Sequence, residues 1–108
     1  MGLFSRTPRA GVVRGAESAD TTHLKAFATS HSGVEGFVEP ATNTTATTLV
    51  LVATDGEWTR RRISSPKAAF DLGRTLAIPV YDVAAVGYPA RMREWSAARK
   101  AAGEPRST

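Results

Sequence analysis

Residues 45–70, TATTLVLVATDGEWTRRRISSPKAAF, decide how the chain folds. Threonines give way to the apolar run Leu49, Val50, Leu51, Val52, a composition that favours a strand. Asp55 and Gly56 follow, and a second strand-like run begins near Trp58. An Asp-Gly pair between two such runs is the strongest short hairpin signal, because a type I′ turn needs positive φ at both central residues. With a two-residue turn, Ala53 faces Trp58, Leu51 faces Arg60 and Leu49 faces Arg62. Val52, Val50 and Thr48 then face Thr59, Arg61 and Ile63. Directly opposite residues share a face, so this register expects Trp58, Arg60 and Arg62 on one side of the ribbon. Asp55 and Glu57 are accounted for by the turn without a catalytic role.

Downstream, Ser65 and Pro66 read as an N-cap followed by proline at N1. Ala69, Phe70, Gly73, Leu76 and Ala77 form a helical stripe that Pro79 brings to an end. Residues 80–86, VYDVAAV, are apolar on both faces apart from Asp82, the pattern of a strand buried between layers. Pro89 opens a last helix with Met92, Trp95 and Ala98 inward and Arg91, Arg93 and Lys100 in water.

Upstream, Asp20 reads as the N-cap of a short helix carrying Leu24, Phe27 and Ala28 inward, with Gly33 at its end. His23 and His31 lie eight apart, not the i, i+4 spacing a helix needs to ligate one metal, and read as exposed or capping residues. The alternation of VEGFVEP predicts a short strand, at an edge, stopped by Pro40. The element order is therefore α-β-β-β-α-β-α. This predicts a single α+β domain over residues 20–103 with one mixed sheet: an antiparallel hairpin at 46–63 plus a parallel crossover to strand 80–86, with packed helices. Residues 1–19 and 104–108, without periodicity, are expected to be disordered ends.

A chain of 108 residues without cysteine excludes a disulfide scaffold, a thiolate zinc site and a thiol nucleophile. It fits a reducing compartment, and a cytoplasmic setting is expected. No apolar run approaches the ~18 residues of a membrane span, and the first residues lack the apolar region of a secretory signal. There is no G-x-G-x-x-G, no G-x-S-x-G and no paired-histidine ligand set. No cofactor, metal or catalytic residue is therefore expected. The formal charge of +4 is unevenly spread. Residues 20–57 carry Asp20, Glu35, Glu39, Asp55 and Glu57 against Lys25 alone, whereas residues 60–67 hold Arg60, Arg61, Arg62 and Lys67. Such asymmetry points to an anionic partner.

The VEP strand end, DGEWTRRR, IPVYDV and VGYPxRMR, spread over residues 33–95, resemble a family of short, mostly uncharacterised actinobacterial proteins. Some members carry a loose oxidoreductase label. The resemblance implies no site residue, cofactor or substrate.

The residues themselves predict a small, basic, non-enzymatic binding module contacting RNA, DNA or a ribonucleoprotein. Arg60 and Arg62 would fork onto phosphates beside Trp58, whose indole would offer a stacking platform. Ser65 and Lys67 at the next helix N-terminus would add a second anion-attracting element, and Arg91 and Arg93 would extend the patch. One alternative is a protein-binding scaffold using the edge of strand 34–39 or the last helix. Another is a divalent-metal nuclease built on Asp55, Glu57 and Arg60, although both acids fall at the turn.

Overall fold

The computed structural model describes residues 8–103, with side chains described from residue 19 onward. The elements are α1 (Pro8–Ser30), β1 (Glu35–Glu39), β2 (Thr48–Val52), β3 (Trp58–Arg62), α2 (Pro66–Leu76), β4 (Val80–Asp82), α3 (Val83–Val86) and α4 (Ala90–Ala101). The strands form one mixed sheet in the order β3-β2-β1-β4, with β1 parallel to β4 and the other pairs antiparallel. This is the expected α+β architecture with one additional short helix.

β2 is the spine of the sheet. Leu49, Val50, Leu51 and Val52 are all fully buried, so both of its faces are covered. On one face Leu49 and Leu51 join Val38, Leu24 and Phe27 of α1, and Ala69 and Leu72 of α2. On the other, Val50 and Val52 join Phe37, Trp58 and Met92 of α4. Burying side chains of this size is worth roughly 1.5–3 kcal/mol each, which is why the apolar run in β2 organises both layers.

The hairpin forms where expected, but its register differs by one residue from the two-residue-turn reading. Val52 pairs with Trp58, Leu51 with Thr59, Val50 with Arg60, Leu49 with Arg61 and Thr48 with Arg62. The connection is a three-residue loop. Gly56 donates to the Ala53 carbonyl (3.0 Å), Ala53 donates to the Glu57 carbonyl (2.8 Å), and Asp55 Oδ1 accepts from the Glu57 amide (2.9 Å). Only Gly56 has positive φ, at 96°, as a turn closed by a bulge requires. Gly56 also lies directly beneath α4: a Cβ there would fall 2.1 Å from the Arg91 carbonyl oxygen and 2.8 Å from Trp95 Cβ. A strand buried on both faces has no alternation to fix its register, so the slip was invisible in the pattern of β2.

α2 begins as predicted: Ser65 Oγ accepts from the Ala68 amide (3.0 Å) and Pro66 is the first helical residue. It ends in a left-handed cap at Ala77 (φ 57°), with Ala77 donating to the Arg74 carbonyl and Ile78 to the Gly73 carbonyl. Gly73 admits β4 at close range, since a Cβ there would meet Val80 Cγ2 at 2.4 Å.

Four further expectations are corrected. β1 is not an edge strand; it lies between β2 and β4, where its buried middle residues and bare Gly36 suit an interior position. The strand expected over 80–86 stops after three residues, because Asp82 Oδ1 accepts from the Ala84 amide (2.8 Å) and caps α3. β4 is an edge strand with Tyr81 and Asp82 exposed, not a strand between layers. Asp20 is not the N-cap of the first helix: α1 starts at Pro8, a residue suited to the first turn, and runs through Asp20. Residues 8–19, expected as part of a disordered end, lie in this helix. Residues 1–7 and 104–108 of the expected ends lie outside the described residues.

Candidate anion-binding cleft

The register of the hairpin sets the chemistry of the sheet face beneath α4. Strand pairing lines up three rows across that face: Trp58, Val52 and Glu35; Arg60, Val50, Phe37 and Tyr81; and Arg62, Thr48 and Glu39. Met92 of α4, with Trp95 and with Val83 of α3 beside it, covers the apolar part of the first two rows. The third row faces a cleft of about 790 Å³. Its lining includes Glu39, Thr48, Arg60, Arg62 and Tyr88, with Thr42, Thr44 and Thr45 from the β1–β2 loop. That loop is held by its own hydroxyls: Thr42 Oγ1 bonds Thr45 Oγ1 (2.7 Å) and accepts from the Thr44 and Thr45 amides (3.2 and 3.1 Å).

Glu39 organises the floor. Its Oε1 accepts from Arg60 Nε (2.8 Å) and Thr48 Oγ1 (2.6 Å); its Oε2 accepts from Arg60 Nη2 (3.0 Å) and from the Tyr88 hydroxyl. Burial pushes the Glu39 carboxyl up, but the bonds from Arg60, Thr48 and Tyr88, with the charge of Arg60, hold it below the usual glutamate range. The same contacts raise Arg60 and, with burial as the larger cause, raise Tyr88.

The sequence-predicted site residues divide into two sets. Arg60 and Arg62 line the first cleft with Tyr88, and Arg60 and Arg93 share a second with it. Arg62 is exposed and makes no ion pair among the described residues. Arg93, also exposed, donates to the Tyr88 carbonyl (3.3 Å) and lines a second cleft of about 300 Å³ with Arg60, Tyr88, Met92 and Ser96. The other residues lie apart or are engaged. Arg91 is not in water as expected; its Nε donates to the Ala53 carbonyl (2.9 Å) and its Nη2 to Glu35 Oε1 (2.7 Å), fastening α4 to the hairpin end. Lys67 pairs with Asp71 (2.9 Å), which also pairs with Arg74, on the exposed side of α2. Ser65 is occupied as a cap.

Trp58 is the main correction. It is 4% exposed, packed among Val50, Val52, Phe37 and Met92, and its Nε1 donates to Ser96 Oγ (2.7 Å). The Arg60 guanidinium lies 5.2 Å from its ring centroid. The indole is a core residue that supports Arg60 from beneath, so it offers no outer stacking face. Trp58, Arg60 and Arg62 do share a side of the ribbon, as strand alternation dictates, but α4 covers the tryptophan end of that side.

Sequence reading missed Glu39, Tyr88 and the threonine loop. The TNTTATT segment was a visible cluster of hydroxyls, but nothing local to Glu39 or Tyr88 shows that they meet across 49 positions. Tyr81 and Tyr88 are 38% and 37% exposed.

The two acids of the nuclease alternative do not converge with Arg60. Asp55 closes the turn, Glu57 pairs with His31 Nε2 (3.1 Å), and Arg60 belongs to Glu39. Among the described residues no group of three or more His, Cys, Asp or Glu side chains is placed to hold a metal ion. His23 and His31 instead join α1 to the β3 end of the hairpin. His23 Nε2 bonds Thr59 Oγ1 (2.6 Å), and His31 stacks on Phe27 with centroids 3.9 Å apart. Burial first, then the nearby Arg61 charge, lowers the pKa of His23, against a smaller opposing effect of Asp20. Among the described residues no helix is long and apolar enough to cross a membrane.

The chain matches no protein-family model, no curated protein and no solved structure.

Proposed function

We propose that the chain is a small cytoplasmic binding module that docks a phosphate-bearing partner, RNA, DNA or a ribonucleoprotein, in the cleft at the Arg62 end of the sheet. The observation that carries this reading is the grouping of Arg60, Arg62 and Arg93 about Tyr88, with Arg62 and Arg93 lacking a carboxylate partner among the described residues. Guanidinium forks match phosphate oxygens, and threonine hydroxyls at the rim add neutral donors. Arg60 is partly neutralised by Glu39, so the docking charge is chiefly that of Arg62 and Arg93.

Two such contacts predict modest affinity with a slope of log K against log salt of roughly −1.4 to −1.8. Arg62→Ala and Arg93→Ala should each reduce the slope by about 0.7–0.9. Binding of a generic oligonucleotide between low and moderate salt measures this. Slopes unchanged in both variants would rule out phosphate contact at the cleft.

A second reading, a protein-binding scaffold, is favoured by the β4 edge, where Tyr81, Tyr88 and the 56%-exposed Val86 surround a 260 Å³ hollow. A partner retained on the chain after nuclease treatment and lost on Val86→Asp would support it over the first.

A further inference from the structure

We infer that the partner is a single strand and that the ring of Tyr88 stacks on one of its unpaired bases. This rests on the phosphate-docking reading above and assigns the aromatic part of the same site. Tyr88 lines three adjoining hollows: the threonine-rimmed cleft, the hollow with Arg60 and Arg93, and the hollow shared with Tyr81. It is therefore a wall residue that all three share. Its hydroxyl is tethered to Glu39, which fixes the ring, and the residue stays 37% exposed. Arginines line two of the hollows beside it, Arg60 with Arg62 in the first and Arg60 with Arg93 in the second. A base on Tyr88 thus has guanidinium groups in two adjoining hollows for its flanking phosphates. Tyr81, whose ring lies 5.7 Å from that of Phe37, offers a second exposed aromatic in the third hollow.

This arrangement selects against a duplex. In a duplex the base faces are already stacked on one another, so a protruding aromatic ring gains nothing from them, whereas a single strand presents every face. The buried Trp58, which the sequence offered for this role, cannot serve it; Tyr88 takes its place.

The test compares a short single-stranded oligonucleotide, the same sequence as a duplex, and a single strand with abasic positions. The single strand should bind about tenfold more tightly than either of the others at one salt concentration. Tyr88→Phe and Tyr88→Ala both lose the bond to Glu39, so their difference isolates the ring. The Phe variant should retain the preference and the Ala variant should lose it. Equal binding of strand and duplex with the salt slope intact, or Phe and Ala variants that bind alike, would overturn the stacking assignment while leaving phosphate docking in place. No binding of any of the three at low salt would remove both.

Discussion

Glu39→Gln is the perturbation that separates the structural role of the cleft from the docking role proposed for it. The carboxylate has two acceptor oxygens and uses both twice, on Arg60, Thr48 and Tyr88. A glutamine keeps the shape but can accept on one side only, and it carries no charge. The hydroxyls of Thr48 and Tyr88 can rotate and accept from the amide; Arg60 has no acceptor to offer and loses half of its fork. A charge-assisted bond is worth about 1.5–3 kcal/mol when shielded and an exposed ion pair about 0–1. With Glu39 at 19% and Arg60 at 40% side-chain exposure, the pair lies between these limits, and a loss of about 1–2 kcal/mol follows. Urea unfolding at neutral pH, with an unchanged m-value, measures it.

The sign of the pH dependence is fixed. Glu39 is held below its unfolded value, so its contribution is complete above that value, about 4.3, and is lost as pH falls through the lower folded value. The gap between wild type and Glu39→Gln should therefore close in acid. The same substitution frees Arg60 to meet phosphate, so oligonucleotide binding should tighten and the salt slope should steepen by about 0.7–0.9. A variant as stable as wild type at neutral pH, a gap that persists unchanged at low pH, or weaker binding would be incompatible with this role of Glu39.

Three further outcomes are expected. Gly56→Ala places a Cβ against the Arg91 carbonyl at positive φ and should cost about 2–5 kcal/mol in chemical denaturation; a loss under about 0.5 would contradict the close approach of α4. Ala77→Gly relieves the left-handed cap of α2 and should raise stability by about 0.5–1 kcal/mol, read as a higher thermal midpoint. His23 has a folded pKa below its unfolded value of about 6.5, so it supports the fold above that pH and the support is lost as pH falls through the folded value. His23→Gln should flatten that part of the stability–pH profile, measured by urea midpoints at stepped pH.

The parts of this fold that were legible in sequence are those determined by a few adjacent residues. Ser65 and Pro66 specify the start of α2 because a side-chain cap and a missing N–H act locally. Asp55 and Gly56 locate the hairpin for the same reason. Its register was not legible, because Leu49, Val50, Leu51 and Val52 are buried on both faces and fit either pairing. That single step moved Arg62 from Leu49 to Thr48 and so to the row of Glu39. The arginines of the site were visible from charge clustering, whereas Glu39 and Tyr88 were not, since their meeting depends on β1 being interior and on the loop after α3. Trp58 was misread because local sequence does not reveal which end of a strand face a later helix will cover. In residues 80–86, Asp82 competed with the apolar pattern and won by capping a helical turn.

The Arg62, Thr48 and Glu39 end of the sheet is the proposed docking surface. Backbone amide shifts followed by NMR during titration with a short single-stranded oligonucleotide test it most directly. Docking there should give the largest changes at residues 44–48, Arg62, Tyr88 and Arg93, with α2 little affected. Changes centred on residues 65–75, or none as the oligonucleotide is brought to excess at low salt, would contradict it.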